Sequence, residues 1–488
     1  MSIWEKKVKD KSLIKDPVLF ERYMNAALSS TGQKEFDSTK DEQQEGLFKL
    51  HGEMKDKQRA LYRATPFWGI NDLNKQLVFY TLIRSGHGMS QEERLLENNY
   101  LYNILKLLPV HRALKILYEL SKAKVNNKSL HLIAQYFIND ILTDHICVKY
   151  KRLLKVIIKH NHIDYKRKNK PAKGSDEFIP FVLGKKREYT HPLFKDYKRA
   201  KNDRDAVFKL PYSVAIGFKN LHNIDDSEFY NKIQGKMSKK EKLKTQNTAQ
   251  RAGENVSTNF KQYKPIELNK YLRVTSEVET PKQVFEAACK KQSNKIPFRF
   301  GKISIVLDNS HSGYSSEEKK NHAVACNESV AHVLKNLAEE CKIHSTPDDK
   351  DFLAKPIGDT NIATALVEAL KDEPEIVFIL SDGYENSPAG ATDQVIHAYY
   401  QKVDKSKKTL VVHINPVFDP KTGDVRKLSE YISTFGIRDE ENLFGILLMI
   451  IAYHKEDKIE ELIIDVENNL IFIKTKKKDL IKLKVKKK

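Results

Sequence analysis

Asp308, Ser310 and Ser312 stand at alternate positions of the stretch KISIVLDNSHSGYSS, directly after an apolar run that reads as a buried strand. Two further stretches carry side chains of the same kind. IGDTNIATAL sets Thr360 at the start of a helical pattern, and FILSDG ends a hydrophobic strand at Asp382. Carboxylate and hydroxyl oxygens are hard donors, suited to a small hard cation such as Mg2+ or another divalent ion that keeps several waters. With few carboxylates such an ion stays electrophilic and keeps a position open for a carboxylate or phosphate from outside.

A second group of residues suits nucleic acid. The tripeptide Tyr-Lys-Arg occurs three times, as Tyr150-Lys151-Arg152, Tyr165-Lys166-Arg167 and Tyr197-Lys198-Arg199. An aromatic ring beside cationic side chains suits stacking on an exposed base together with phosphate contact. Lys151, Arg152, Lys166, Arg167, Lys198 and Arg199 are the candidate RNA-contacting residues. The window 149–251 holds 27 Lys and Arg against 11 Asp and Glu, a net of +16, and the last 18 residues add +8. Since the whole chain carries +20, everything else sums to −4, so the basicity is localised. A localised cationic stretch gains by displacing counterions from a polyanion. The H-x-H of KHNHID, His160 and His162, has no carboxylate or cysteine companion at ligand spacing and reads as structural.

The elements that must position these residues change character along the chain. From about 16 to 160 apolar residues recur at three- and four-residue steps, as Leu107, Val110, Leu114, Leu117 and Tyr118 do, with short polar connections. That pattern predicts an α-helical HEAT-like array. From about 300 buried strands alternate with helices. KISIVLD, EIVFILSDG and KTLVVHINPVF read as strands; NHAVACNESVAHVLKNLAEEC, NIATALVEALKD, TDQVIHAYYQKV and ENLFGILLMIIAYH read as helices. Such alternation predicts an α/β doubly wound, mostly parallel sheet, whose ligands sit beyond the carboxyl ends of the strands. Asp308 and Asp382 both fall at such ends. The expected division is a helical domain over 1–298, the α/β domain over 299–455, and a short β extension with a basic tail over 456–488.

At 488 residues the chain is long enough for two or three cores. Four cysteines, none in a CxxC pair, fit a reducing compartment. The N-terminus lacks the apolar core of a signal peptide, and the longest apolar run, LFGILLMIIAY, is about half of what a bilayer needs. A cytoplasmic protein without membrane partners is expected. Nothing resembles a P-loop, G-x-S-x-G or a Cys/His catalytic pair, so no enzyme activity is expected.

In order and on the right elements, D-x-S-x-S at 308–312, Thr360 and Asp382 resemble the von Willebrand factor A domain and its metal-ion-dependent adhesion site, over residues 300–455. The resemblance implies that Ser310, Ser312 and Thr360 ligate Mg2+ through hydroxyls, with Asp308 and Asp382 direct or through water. Only 47 residues separate Ser312 from Thr360, so a shortened sheet edge is expected. A helical array, a basic surface and a C-terminal A domain together resemble the Ro autoantigen (TROVE-domain) family. There a ring of HEAT-like helices binds small structured RNA on basic surfaces and admits the ends of misfolded RNA. The resemblance implies a non-catalytic, ribonucleoprotein-forming RNA-binding protein with an acidic protein ligand at the A-domain metal. The alternative is a metal-dependent protein-interaction adaptor beside an AAA+ ATPase or another complex, without RNA.

Overall fold

The computed structural model describes residues 15–34, 39–86, 88–164, 175–257, 259–274, 281–310, 313, 320–346, 353, 356, 358–406, 408–454 and 468. Ser312, Lys166, Arg167 and the expected extension and tail after 455, save Asn468, lie outside the described residues. By compactness the chain divides into one unit of residues 1–78 with 257–463 and another of 79–256 with 464–488. That division does not fall at residue 298: the first helices and residues 257–298 group with the sheet.

The unit of residues 1–78 and 257–463 is built on five parallel strands. These are β1 (Phe300–Asp308), β2 (Ala338–Thr346), β3 (Ile376–Leu380), β4 (Leu410–Asn415) and, after the short hairpin of β5 (Phe418–Asp419) and β6 (Asp424–Val425), β7 (Ser433–Gly436). The order is β2-β1-β3-β4-β7, with Ile305 opposite Phe378 and Phe378 opposite Val412. The central strand β3 is apolar throughout, and β1 and β4 are mostly so, because both faces are covered, as parallel sheets require. Val306, Val377, Ile379 and Val411 pack with Ile362, Leu366 and Ala369 of the helix Ile362–Lys371 and with Ile396 of Ala391–Ala398.

One sequence expectation is corrected here. The stretch AEEC was expected to close a helix, but that helix ends at Lys335 and Ala338 opens β2. Glu and Lys favour helix locally, yet eight residues paired in register with β1 outweigh that weak preference. The short β7 carries too brief an apolar signal to be read from sequence. No strand lies beyond β2 among the described residues.

At the other margin the helix Pro17–Ser29, capped by Asp16, covers β7. Asn25 Nδ2 donates to Thr434 O (3.1 Å) and to Asp424 Oδ1 (2.8 Å), and Gly436 N donates to Asn25 Oδ1 (2.9 Å). A Cβ on Gly436 would lie 2.3 Å from Asn25 O, so only glycine admits this approach. The helices Pro265–Leu272, Pro281–Ser293 and His322–Lys335 pack on one another around the ion pair Arg273–Glu328 (2.6 Å), whose side chains are 5% and 7% exposed.

The unit of residues 79–256 is helical among its described residues. Gln91–Leu107 and Val110–Lys122 are separated at Pro109, which has no N–H to continue a helix. Val110–Lys122 packs on Lys151–His160, and Gln91–Leu107 on Lys128–Ile141. Phe178–Leu183 packs on both Asp144–Lys149 and Lys151–His160, and Pro192–Arg199 packs on Asp144–Lys149. A second core gathers Val207, Leu210, Phe229, Ile233 and Val256. Among the described residues of the chain, no helix is long and apolar enough to cross a membrane.

Candidate functional site

Two constellations result, one in each unit. The first lies beyond the carboxyl ends of β1 and β3. Parallel pairing sets Leu307 opposite Leu380, so both strands deliver their next residues to the same margin of the sheet. Asp308, Ser310, Thr360 and Asp382 are all buried there, none more than 4% exposed. Asp308 Oδ1 accepts the Ser310 N–H at 2.9 Å, and its Oδ2 accepts the Ser381 hydroxyl at 2.8 Å. Asp382 Oδ1 accepts the Tyr384 N–H at 3.1 Å. Thr360 is tied to the same loop: its N–H donates to Asn386 Oδ1 (2.8 Å) and its carbonyl accepts from Ser387 N (3.2 Å). Gly383, at φ +80°, makes the turn after Asp382 where a Cβ would meet Arg426 O at 2.8 Å.

Burial, and then the nearby charge of Asp382, push the Asp308 carboxyl up to about 7 against the hydrogen bonds of Ser310 and Ser381. Two adjacent carboxylates in a buried, oxygen-lined place form the kind of donor set a hard divalent cation fits. No cluster of three or more His, Cys, Asp or Glu side chains suited to a metal occurs among the described residues. A set of two carboxylates with hydroxyls contains only two such groups. Ser381, which holds Asp308, was not singled out in the sequence, although it adjoins Asp382.

The second constellation gathers lysines from separate helices. Lys151 opens the helix Lys151–His160, with its ammonium 4.1 Å from the ring centre of Phe181 and 4.8 Å from that of Tyr197. Burial, then the charges of Lys198, Lys201 and Lys155, push that ammonium down to about 8. Lys198 donates to Arg187 O (3.0 Å) and lies 5.5 Å from the ring centre of Tyr189. Among the described residues, Lys151, Lys155, Lys198 and Lys201 enter no ion pair. Lys149, by contrast, meets Glu241 at 3.4 Å.

The structure thus brings Lys151 and Lys198 together and adds Lys155 and Lys201, which sequence reasoning missed. Their signal was the i+4 and i+3 spacing from the two named lysines. Arg152 is exposed on the helix of Lys151. Arg199 is matched internally by Asp203 (2.5 Å) and Asp196 (3.8 Å), which leaves it less charge to offer. His160 Nε2 donates to Val125 O (2.8 Å) and its ring lies 5.9 Å from that of His131, as a structural pair would.

No family model matches the chain, and no curated protein matches its sequence. Among solved structures it is similar to the Ro protein of Deinococcus radiodurans, with a TM-score of 0.54 at 10% identity, covering 90% of this chain and 100% of that one. This chain has a helix-rich N-terminal part followed by a parallel-sheet α/β region, consistent with that likeness. The chain is Ro-like in fold.

Proposed function

We propose that this is a non-catalytic RNA-binding protein of the Ro type, which binds small structured or misfolded RNA through its phosphates. The observation that carries the reading is the convergence of Lys151 and Lys155 from one helix with Lys198 from another and Lys201 from the turn after it, with no carboxylate paired to any of them among the described residues. Ammonium groups so placed repel one another, and a polyanion relieves the repulsion while releasing its own counterions. The fold likeness to a Ro protein supports the same reading.

Asp308, Ser310, Thr360 and Asp382, with Ser312, would hold Mg2+ or another divalent cation at the A-domain-like site. When bound, the ion supplies a Lewis-acidic position for an acidic group of a protein partner. The chain's own contribution is orientation: Ser381 and the Ser310 N–H fix Asp308, and Asn386 fixes Thr360. A cytoplasmic ribonucleoprotein with HEAT-like helices completes the reading.

The test is the ultraviolet absorbance of the purified full-length protein before and after RNase treatment. An excess at 260 nm that RNase removes supports the proposal. A protein that purifies free of nucleic acid and fails to take up added RNA at low salt contradicts it.

A further inference from the structure

The H-x-H of KHNHID gains a companion from another helix. His131, on the helix Lys128–Ile141, has its ring centre 5.9 Å from that of His160, the last residue of Lys151–His160, and 6.3 Å from that of His162. Val125 O can only accept, so the 2.8 Å bond that fixes the His160 ring also fixes its tautomer. Nε2 carries the proton and Nδ1 keeps a lone pair. His131 is held in the same way: its Nε2 donates to Asn126 Oδ1 at 2.6 Å, and its buried Nδ1 has no hydrogen-bond partner. Beside that ring stands the carboxamide of Asn161, 4% exposed and oriented by Nδ2 bonds to Ile157 O (3.0 Å) and Ser121 Oγ (3.3 Å). Its Oδ1 is likewise without a partner. Buried acceptors left unpaired side by side are relieved by a donor or a cation.

We infer that the helical unit carries a second metal site, in which Nδ1 of His131 and of His160, with the imidazole of His162, ligate a borderline divalent cation, Zn2+. Imidazole nitrogen suits such an ion, whereas the carboxylates and hydroxyls around Asp308 suit a harder one. Outward bonds from the second ring nitrogen to a carbonyl and a carboxamide are the arrangement that orients metal-ligating histidines. Two imidazoles sharing a tetrahedral ion at about 2.1 Å set their ring centres about 5 Å apart, so a shift of about 1 Å brings His131 and His160 into place.

No finished cluster of three donors stands among the described residues. His162, exposed on the turn after the helix, completes the set by rotating its side chain inward. Its φ of +51° is left-handed, at a helix end where glycine or asparagine is usual, and Ile163 N closes the turn on Ile158 O. Use of the imidazole accounts for a histidine at that position. Burial, then the charges of His160 and His162, push the His131 imidazole below its ordinary range, which favours the neutral form a metal requires. Bound, the ion ties the helix Lys128–Ile141 to the end of Lys151–His160.

Full-length protein is titrated with Zn2+ by calorimetry in excess Mg2+, which competes at oxygen donors. Histidines are then mapped with diethyl pyrocarbonate and peptide mass spectrometry. Zn2+ should protect His131, His160 and His162 together. His162→Ala should weaken Zn2+ binding on the order of tenfold or more, and Asn126→Ala, which removes only the bond that orients His131, by roughly tenfold. Protection confined to other histidines, or unchanged Zn2+ affinity in both variants, overturns the inference. Asp308→Asn should leave the protection of the three histidines as in wild type. Its loss there would assign the Zn2+ to the carboxylates and overturn the inference as well.

Discussion

Ser381 donates its hydroxyl to Asp308 across the seam between β1 and β3 at 2.8 Å, holding one buried carboxylate beside another, that of Asp382. Proteins keep such an arrangement at a cost in stability when the site is used. Asp308→Asn should therefore raise the melting temperature of the metal-free protein by a few degrees. Mg2+ should raise the melting temperature of the wild type, by mass action on the folded state, and leave that of the variant unmoved. Calorimetry of both proteins with and without Mg2+ checks this; equal Mg2+ shifts would remove Asp308 from the metal site.

The contact of Asn25 with Gly436 joins positions 411 residues apart. Gly436→Ala places a Cβ against Asn25 O and should destabilise by about 1–3 kcal/mol. Asn25→Ala strips partners from Gly436 N, Thr434 O and the buried Asp424 carboxylate, and should cost at least about 2 kcal/mol. Urea unfolding followed by circular dichroism measures both. Wild-type midpoints in the two variants would mean that the first helix does not seal the sheet.

Arg273 and Glu328 form an ion pair that water hardly reaches. Arg273→Met leaves Glu328 buried with Asn269 and the Leu353 N–H as its remaining partners and should cost about 3–5 kcal/mol. Adding Glu328→Gln should recover much of that loss, because no charge is then buried alone. A double variant as unstable as Arg273→Met alone would show that packing, not charge, is at stake.

His51 and His413 are held neutral by burial, which pushes each down to about 4. The unfolded chain binds protons at these positions below pH 6.5 while the folded chain does not, so acid between pH 6.5 and 4 disfavours folding through them. Asp308 and Glu440, pushed up to about 7 and about 8, act in the opposite direction over the same window. The informative quantity is thus a difference between proteins. His51→Gln keeps a polar partner for Tyr62 and Asn74. The variant should lose less stability than wild type between pH 6.5 and 4, and parallel pH profiles would show that His51 does not stay neutral in the folded state.

Much of the carboxylate site is readable from single strands, because an apolar run ending in Asp308 or Asp382 already fixes where the side chain emerges. Ser381 is less readable, since only the pairing of β1 with β3 reveals that its hydroxyl meets Asp308. β2 misleads because AEECK has helical composition and gains its strand geometry from a neighbour 38 residues earlier, with Phe300 opposite Ala338. The lysine cluster was half visible: Lys151 and Lys198 stood out beside tyrosines, whereas Lys155 and Lys201 acquire meaning only when the helix Lys151–His160 meets Pro192–Arg199 and the turn after it. Arg199 shows the converse, as Asp203, four residues on, already signals an internal pair.

The most direct test of the proposed function is the salt dependence of RNA affinity. Fluorescence anisotropy of a labelled small hairpin RNA with a single-stranded tail, titrated with full-length protein from about 50 to about 300 mM KCl, gives the slope of log affinity against log salt. Wild type should bind at low salt with a steep negative slope. The double variant Lys151→Glu, Lys198→Glu should bind more weakly, with a slope shallower by about two. No binding at low salt, or the same affinity and slope in the variant, would contradict RNA recognition by this cluster.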